Sequence, residues 1–156
     1  MIRREGETSG GDGADENDER TAVDEAGIAA VVHFERECGR VPDVKDHNNK
    51  GFDIQSEYPD GEIARYIEVK SSRGPWDELG VGLSDAQFLH AQRVEDQYWL
   101  YVVEFALSPE DRRIWPIPDP ARQVTDFMFD DGWKGLAEPE VGRAAPEVAE
   151  LPAEDA

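Results

Sequence analysis

The stretch that most constrains the fold of this chain is Ile67-Glu68-Val69-Lys70. In an extended strand successive side chains point to opposite faces, so Ile67 and Val69 share one face while Glu68 and Lys70 share the other. The apolar pair then needs a core and the charged pair a cleft. The same alternation applies upstream at Gly51-Phe52-Asp53-Ile54, where it sends Phe52 and Ile54 one way and Asp53 the other. Between the runs lies Pro59-Asp60-Gly61, whose fixed proline φ and permissive glycine suit a tight turn. An antiparallel hairpin is the expected result. It would bring Asp53, Glu68 and Lys70 onto one face, with two carboxylates to hold a divalent cation and an ammonium beside them. Spacing alone leaves a second reading open, because Glu-x-Lys on a strand also describes a solvated face whose ion pair contributes little.

Upstream of the hairpin, Ile28, Val31, Val32 and Phe34 supply the apolar stripe of a helix from about Ala22 to Cys38, with a capping-box-like start at Thr21 and Asp24 and a stop at Gly39. Glu35 falls at the edge of that stripe, where a carboxylate either reaches water or points into a cleft. A short strand, Arg40 to Val44, and a polar loop, Lys45 to Lys50, lead into the hairpin. Beyond Lys70 the stretch Ser71-Ser72-Arg73-Gly74-Pro75-Trp76 reads as a flexible loop. Arg73 could touch phosphate there, and Trp76 could either stack on a base or sugar or simply cover the edge of the core. A second helix runs from Ser84 to about Val94, with Ser84 and Gln87 in capping-box spacing. Tyr98 to Phe105 is a β-branched and aromatic run expected as a buried strand, and Ile114 to Ile117 is expected to pair with it. A further short helix is expected within 121–129. This order predicts an α/β domain with a mixed central sheet flanked by helices.

The length of 156 residues suits one domain. Residues 1–20 are expected as a disordered acidic tail, 21–133 as the folded domain, and 134–156 as a disordered Pro/Ala/Glu tail. The formal charge is -20, and only 4 of the 16 basic residues are lysine. Residues 1–22 and 134–156 together account for -8, so the rest of the chain carries -12. An acidic, lysine-poor surface keeps a protein hydrated in concentrated salt, which predicts a cytoplasmic protein of a salt-accumulating, halophilic cell. The single cysteine, Cys38, excludes an internal disulfide and fits a reducing compartment. No apolar run has the length of a membrane span, and the acidic start does not read as a signal peptide. His33, His47 and His90 are widely separated, fit no zinc pattern with Cys38, and are expected at surface or edge positions.

Several motifs in order resemble one family. They are Gly39-Arg40 followed by Asp43-Val44, Gly51-Phe52-Asp53-Ile54, Arg65-Tyr66-Ile67-Glu68-Val69-Lys70, Leu83-Ser84 with Ala91, Tyr98-Trp99-Leu100-Tyr101-Val102-Val103, and Asp119-Pro120. Together they resemble the protein NO VEIN C-terminal domain family of the PD-(D/E)xK superfamily, over about residues 22 to 122. The resemblance implies a restriction-endonuclease-like fold with an αβββαβ core, in which Asp53, Glu68 and Lys70 match the nuclease triad and Glu35 matches an acidic residue on the first helix. One position departs from the pattern: Gln87 stands where the second helix usually carries Glu. A glutamine supplies no anionic charge, although other nuclease branches use one near that place to orient the site.

The function so implied is Mg²⁺-dependent hydrolysis of phosphodiester bonds in nucleic acid, DNA foremost, in defence or DNA repair, with Mn²⁺ as a second candidate metal. Asp53, Glu68 and the Val69 carbonyl would hold the metal, Lys70 would act on water or developing charge, and Glu35 would complete the shell through a water. The alternative is a non-catalytic module of the same fold that binds nucleic acid or a partner such as a helicase or other defence-system protein. The acidity of the domain weighs towards a partner, since like charge repels phosphate, although high salt screens that repulsion.

Overall fold

A computed structural model of the chain describes residues 12–77 and 80–124. The first element is the helix α1 (Asp12–Glu37), which begins at Asp12 and not at Ala22. Thr21 is therefore no cap. Its hydroxyl donates to the Asn17 carbonyl one turn back, at 2.9 Å, as it would in mid-helix. The residues from Gly13 to Ala22 are all exposed, so this first part of the helix lacks the apolar stripe that would have marked it. The stripe begins at Val23 and continues through Gly27, Ala30, Val31 and Glu35, all buried at helical spacing. Gly39, at φ +78°, ends the helix as expected.

Two antiparallel pairings then open the sheet. Strand β1 (Val41–Val44) pairs antiparallel with β2 (Ile54–Glu57), and β2 pairs antiparallel with β3 (Ile63–Ser71) in the register Ile54 to Ile67. The expected turn closes this hairpin: Tyr58 N–H donates to the Glu62 carbonyl at 2.8 Å, and Gly61 takes φ +90°. Helix α2 (Asp85–Val94) carries the chain across to β4 (Tyr98–Glu104), which lies parallel to β3, and β5 (Arg113–Pro118) returns antiparallel to β4. The five strands lie in the order β1-β2-β3-β4-β5. The result is the expected mixed sheet with helices, in the order α, three strands, α, strand, followed by β5.

The two faces bury different cores. On one, α1 packs Val23 and Val31 against Ile54, Ile67, Tyr101 and Val103; on the other, Ala91 of α2 meets Phe52 and Tyr98. Strand β4 contributes to both, which is why it reads as an unbroken apolar run. Phe52 and Ile54 thus point to opposite faces, against the expectation of strict alternation. The reason is that the strand begins only at Ile54, so Phe52 and Asp53 turn in an irregular segment before it.

The loop after β3 is pinned, not flexible. Ser72 N–H donates to the Val103 carbonyl at 2.9 Å, and the N–H groups of Phe105 and Ala106 donate back to the carbonyls of Gly74 and Ser72. A 3-10 turn (Pro120–Arg122) overlaps the start of the helix expected over 121–129; 123–124 are not helical, and 125–129, like the expected tail 134–156, lie outside the described residues. Among the described residues no helix is long and apolar enough to cross a membrane.

Candidate active site

The alternation of β3 sets the site. Arg65, Ile67 and Val69 face α1, so Tyr66, Glu68 and Lys70 face α2. Asp53 reaches the same place from the side. It stands just before β2, where its backbone N–H donates to the Ile67 carbonyl at 2.9 Å. Its side-chain Oδ2 continues this line of pairing by accepting the Val69 N–H at 2.8 Å. Backbone groups alternate in direction along a strand, so the Val69 carbonyl shares the edge that its N–H presents to Asp53.

Around Glu68 the contacts are polar and close. Lys70 Nζ lies 3.1 Å from Glu68 Oε1. Gln87 Nε2 donates to the same oxygen at 2.6 Å, and Gln87 Oε1 accepts from Lys70 Nζ at 3.3 Å. Gln87 is also the capping residue expected from its spacing: its Oε1 accepts the Ser84 N–H at 2.8 Å, and its own N–H donates to Ser84 Oγ at 3.3 Å. One glutamine therefore closes the start of α2 and ties that helix to Glu68 and Lys70.

Burial pushes the Glu68 carboxyl up to about 7, with the nearby Asp53 charge adding to the effect and Lys70 opposing it. Asp53 is also raised, chiefly by burial, against the lowering effect of the Val69 N–H and of Lys70. Two adjacent carboxyls that resist ionising together are what a divalent cation stabilises most, since it replaces the missing positive charge. The donors fit a hard cation that takes oxygen ligands and keeps several waters: two carboxylates and one backbone carbonyl. Among the described residues no group of three or more His, Cys, Asp or Glu side chains could hold a metal, so no richer donor set competes with this one.

Glu35 is not part of this constellation. It was expected to complete the metal shell, but it is fully buried on the α1 face, with Tyr101 as its partner. Tyr101 pairs with Val69, and paired residues share a face, so Glu35 lies across the sheet from Glu68. Its carboxylate accepts from Arg40 Nε at 2.5 Å, Arg40 Nη2 at 2.9 Å, Ser56 Oγ at 2.7 Å and the Tyr101 hydroxyl at 2.5 Å. Burial alone would raise its pKa, but the hydrogen bonds from Arg40, Tyr101 and Ser56 outweigh it and hold the group below the usual carboxylate range. Arg65 completes the cluster, bonded to the Tyr101 hydroxyl and stacked 3.6 Å over the Trp99 ring. This is a structural ion-pair network.

Arg73 and Trp76, the expected substrate contacts, diverge. Arg73 turns towards α1, where it is bonded to Glu19. There it borders a polar groove of about 520 Å³ lined also by Asn17, Arg20, Thr21, Asp24 and Ser71. Trp76 is tied to the end of β4 instead, its backbone N–H donating to Glu104 Oε1 at 2.6 Å. Asp24 was not foreseen as a site residue, yet its charge adds to the upward push on Asp53. The signal available was its spacing: it precedes buried Gly27 by three residues on the helix face that meets the end of β3. His90 was also underread. It sits with its ring between those of Phe52, Tyr66 and Tyr98, and its Nε2 is buried with no hydrogen-bond partner among the described residues.

Residues 23–115 match the family model described as Protein NO VEIN, C-terminal. The match takes in the site whole, from the buried stripe of α1 through the hairpin and α2 into β5. No curated protein and no solved structure matches the chain.

Proposed function

The chain belongs to the Protein NO VEIN C-terminal family, and from that premise we propose that it is a divalent-cation-dependent phosphodiesterase of the PD-(D/E)xK kind, acting on nucleic acid and on DNA foremost. The observation that carries this reading is the convergence of Asp53, Glu68 and Lys70 at one strand end, with both carboxyls raised by burial. The element order α, three strands, α, strand supports a restriction-endonuclease-like core.

Each residue has a separate task in the reaction. Asp53 and Glu68, with the Val69 carbonyl, hold Mg²⁺, and Mn²⁺ is a reasonable substitute because it accepts the same oxygen donors. A cation bound there supplies Lewis-acid polarisation of the scissile phosphate and a nucleophile at neutral pH. Asp53 is pre-oriented by the Val69 N–H, so little rotamer freedom is lost on binding. Gln87 holds Glu68 in place from α2. Lys70, now on Glu68 and Gln87, is free to turn to the phosphate or the attacking water, where its charge opposes the negative charge developing in the transition state.

A cytoplasmic setting in a salt-accumulating cell, and a helicase or other defence-system partner that supplies nucleic-acid affinity, are consistent with a chain of charge -20. The deciding assay uses concentrated KCl, with Mg²⁺ and Mn²⁺ compared, on single-stranded, duplex and modified DNA and on RNA. Cleavage that needs the cation and is lost in Asp53→Ala supports the proposal. Retained nucleic-acid or partner binding with no cleavage under any of these conditions supports the non-catalytic module.

A further inference from the structure

The face that carries Glu68 and Lys70 does not stop at β3. Lys70 pairs with Val102, and Val102 pairs with Trp115. Residues paired across a sheet share a face, so Trp115 stands on the face of Lys70, two strand spacings away or about 10 Å. Arg113 pairs with Glu104 and stands on that face as well, two residues from Trp115. The Trp115 side chain is left 46% exposed and Trp76 37%.

One carboxylate ties the Trp115 ring to the backbone of the Trp76 loop. Glu104 is only 9% exposed, and both its oxygens are used: Oε1 accepts the backbone N–H of Trp76 at 2.6 Å, and Oε2 accepts Trp115 Nε1–H at 2.8 Å. These bonds hold its pKa below the usual carboxylate range. The next residue, Phe105, adopts φ +50°, a strained conformation for a bulky side chain. Its N–H donates to the Gly74 carbonyl at 3.1 Å and so locks the Trp76 loop against the end of β4. A solvated sheet edge needs none of this. Fixing the tilt of the exposed Trp115 indole beside an anchored loop does.

We propose that this face of β5 binds a single nucleic-acid strand flanking the scissile phosphate. One base stacks on Trp115, a phosphate pairs with Arg113, Trp76 forms the adjoining wall, and Glu104 is the positioning residue. The chemistry agrees: Arg113 supplies a cation beside the ring, and every base offers a π-face to an indole. Bases inside a duplex are already stacked and offer no such face, so a single strand is preferred. Stacking also persists in salt that screens phosphate contacts. The inference rests on the nuclease reading of Lys70 for the strand's direction, but binding and cleavage test the two separately.

The test is fluorescence anisotropy of labelled short oligothymidylate, oligouridylate and a blunt DNA duplex with the full chain in concentrated KCl and a chelator, which prevents cleavage. The wild type is expected to bind single strands more tightly than duplex. Trp115→Ala should weaken single-strand binding by roughly ten-fold or more. Trp115→Phe, which keeps a ring but loses the bond to Glu104, should recover only part of it. Circular dichroism of both variants checks the fold. Equal single-strand binding by wild type and Trp115→Ala, a preference for duplex, or no binding of either strand form overturns the proposal. Weaker binding by Trp115→Ala in a protein that shows no Asp53-dependent cleavage retains the stacking face and removes the nuclease reading. Unchanged binding beside Asp53-dependent cleavage does the reverse.

Discussion

Glu35 and Glu68 lie on opposite faces of one sheet and are held in opposite electrostatic states. Glu35 accepts four hydrogen bonds from Arg40, Ser56 and Tyr101 and stays below the usual carboxylate range. Glu68 is raised to about 7 by burial and by Asp53, an effect that Lys70 opposes only in part. One carboxylate is satisfied and structural. The other is the one proposed to take a cation.

Glu35→Ala should therefore unfold the protein more readily without touching the chemistry. Removing one partner leaves Arg40 and the Tyr101 hydroxyl without their acceptor in a buried site, which costs about 3–5 kcal/mol. Because the folded pKa of Glu35 is depressed, its contribution is present above its unfolded pKa and is lost as pH falls through the folded value. Denaturant midpoints at fixed KCl, compared at neutral and acid pH, would show this. An unchanged midpoint at neutral pH contradicts the structural role.

Glu68 has the opposite sign. Its folded pKa is raised from 4.5 to about 7, so the folded state holds the extra proton across that window and stability declines as pH rises through it. In the presence of a chelator, Glu68→Gln should be more stable than wild type at pH 8, by on the order of 1 kcal/mol or more, and should differ little at pH 4. Cation affinity of the wild type should rise as pH passes 7, because binding must displace that proton. Calorimetric titration with Mg²⁺ at two pH values measures both the affinity and the released proton.

Gly27→Ala should destabilise, although alanine is ordinarily the better helix former. A Cβ at Gly27 would meet Ser71 Oγ at 1.7 Å and Ser71 Cβ at 2.8 Å, next to Lys70 on β3. Overpacking of this kind costs about 1–3 kcal/mol. Adding Ser71→Ala to the variant removes the nearer clash and should restore part of the loss, as a thermal melt would report.

Gln87→Glu tests what glutamine does here. A third carboxyl beside Glu68 raises the charge density at the site. It should strengthen Mg²⁺ binding several-fold at pH 8 while lowering stability in chelator, through like-charge repulsion. Equal affinity for Mg²⁺ in the two proteins would place Gln87 outside the reach of the cation.

Much of this architecture is legible in the chain because its signals are local. The hairpin follows from Pro59-Asp60-Gly61 and the alternation at Ile67 to Lys70, and the α2 start follows from Ser84 and Gln87. The destination of Glu35 is not local. It depends on Arg40, Ser56 and Tyr101, which come from the helix exit and two different strands, and no helical periodicity encodes that meeting. Phe52 was misplaced for a related reason: alternation holds only inside a strand, and the strand starts two residues later. The early start of α1 was missed because its first turns bury nothing, so hydrophobic pattern was silent there.

The most direct test of the account separates Lys70 from the cation ligands. Lys70 is assigned to the transition state, whereas Asp53 and Glu68 are assigned to holding the metal, so their loss should have different signatures. Single-turnover cleavage by wild type and Lys70→Ala, measured in concentrated KCl with Mg²⁺ on the best substrate, is the measurement. Lys70→Ala is predicted to keep its fold, its Mg²⁺ affinity and its nucleic-acid binding while cleavage falls to background. Cleavage by Lys70→Ala at the wild-type rate would contradict the assignment of this site as the catalytic centre.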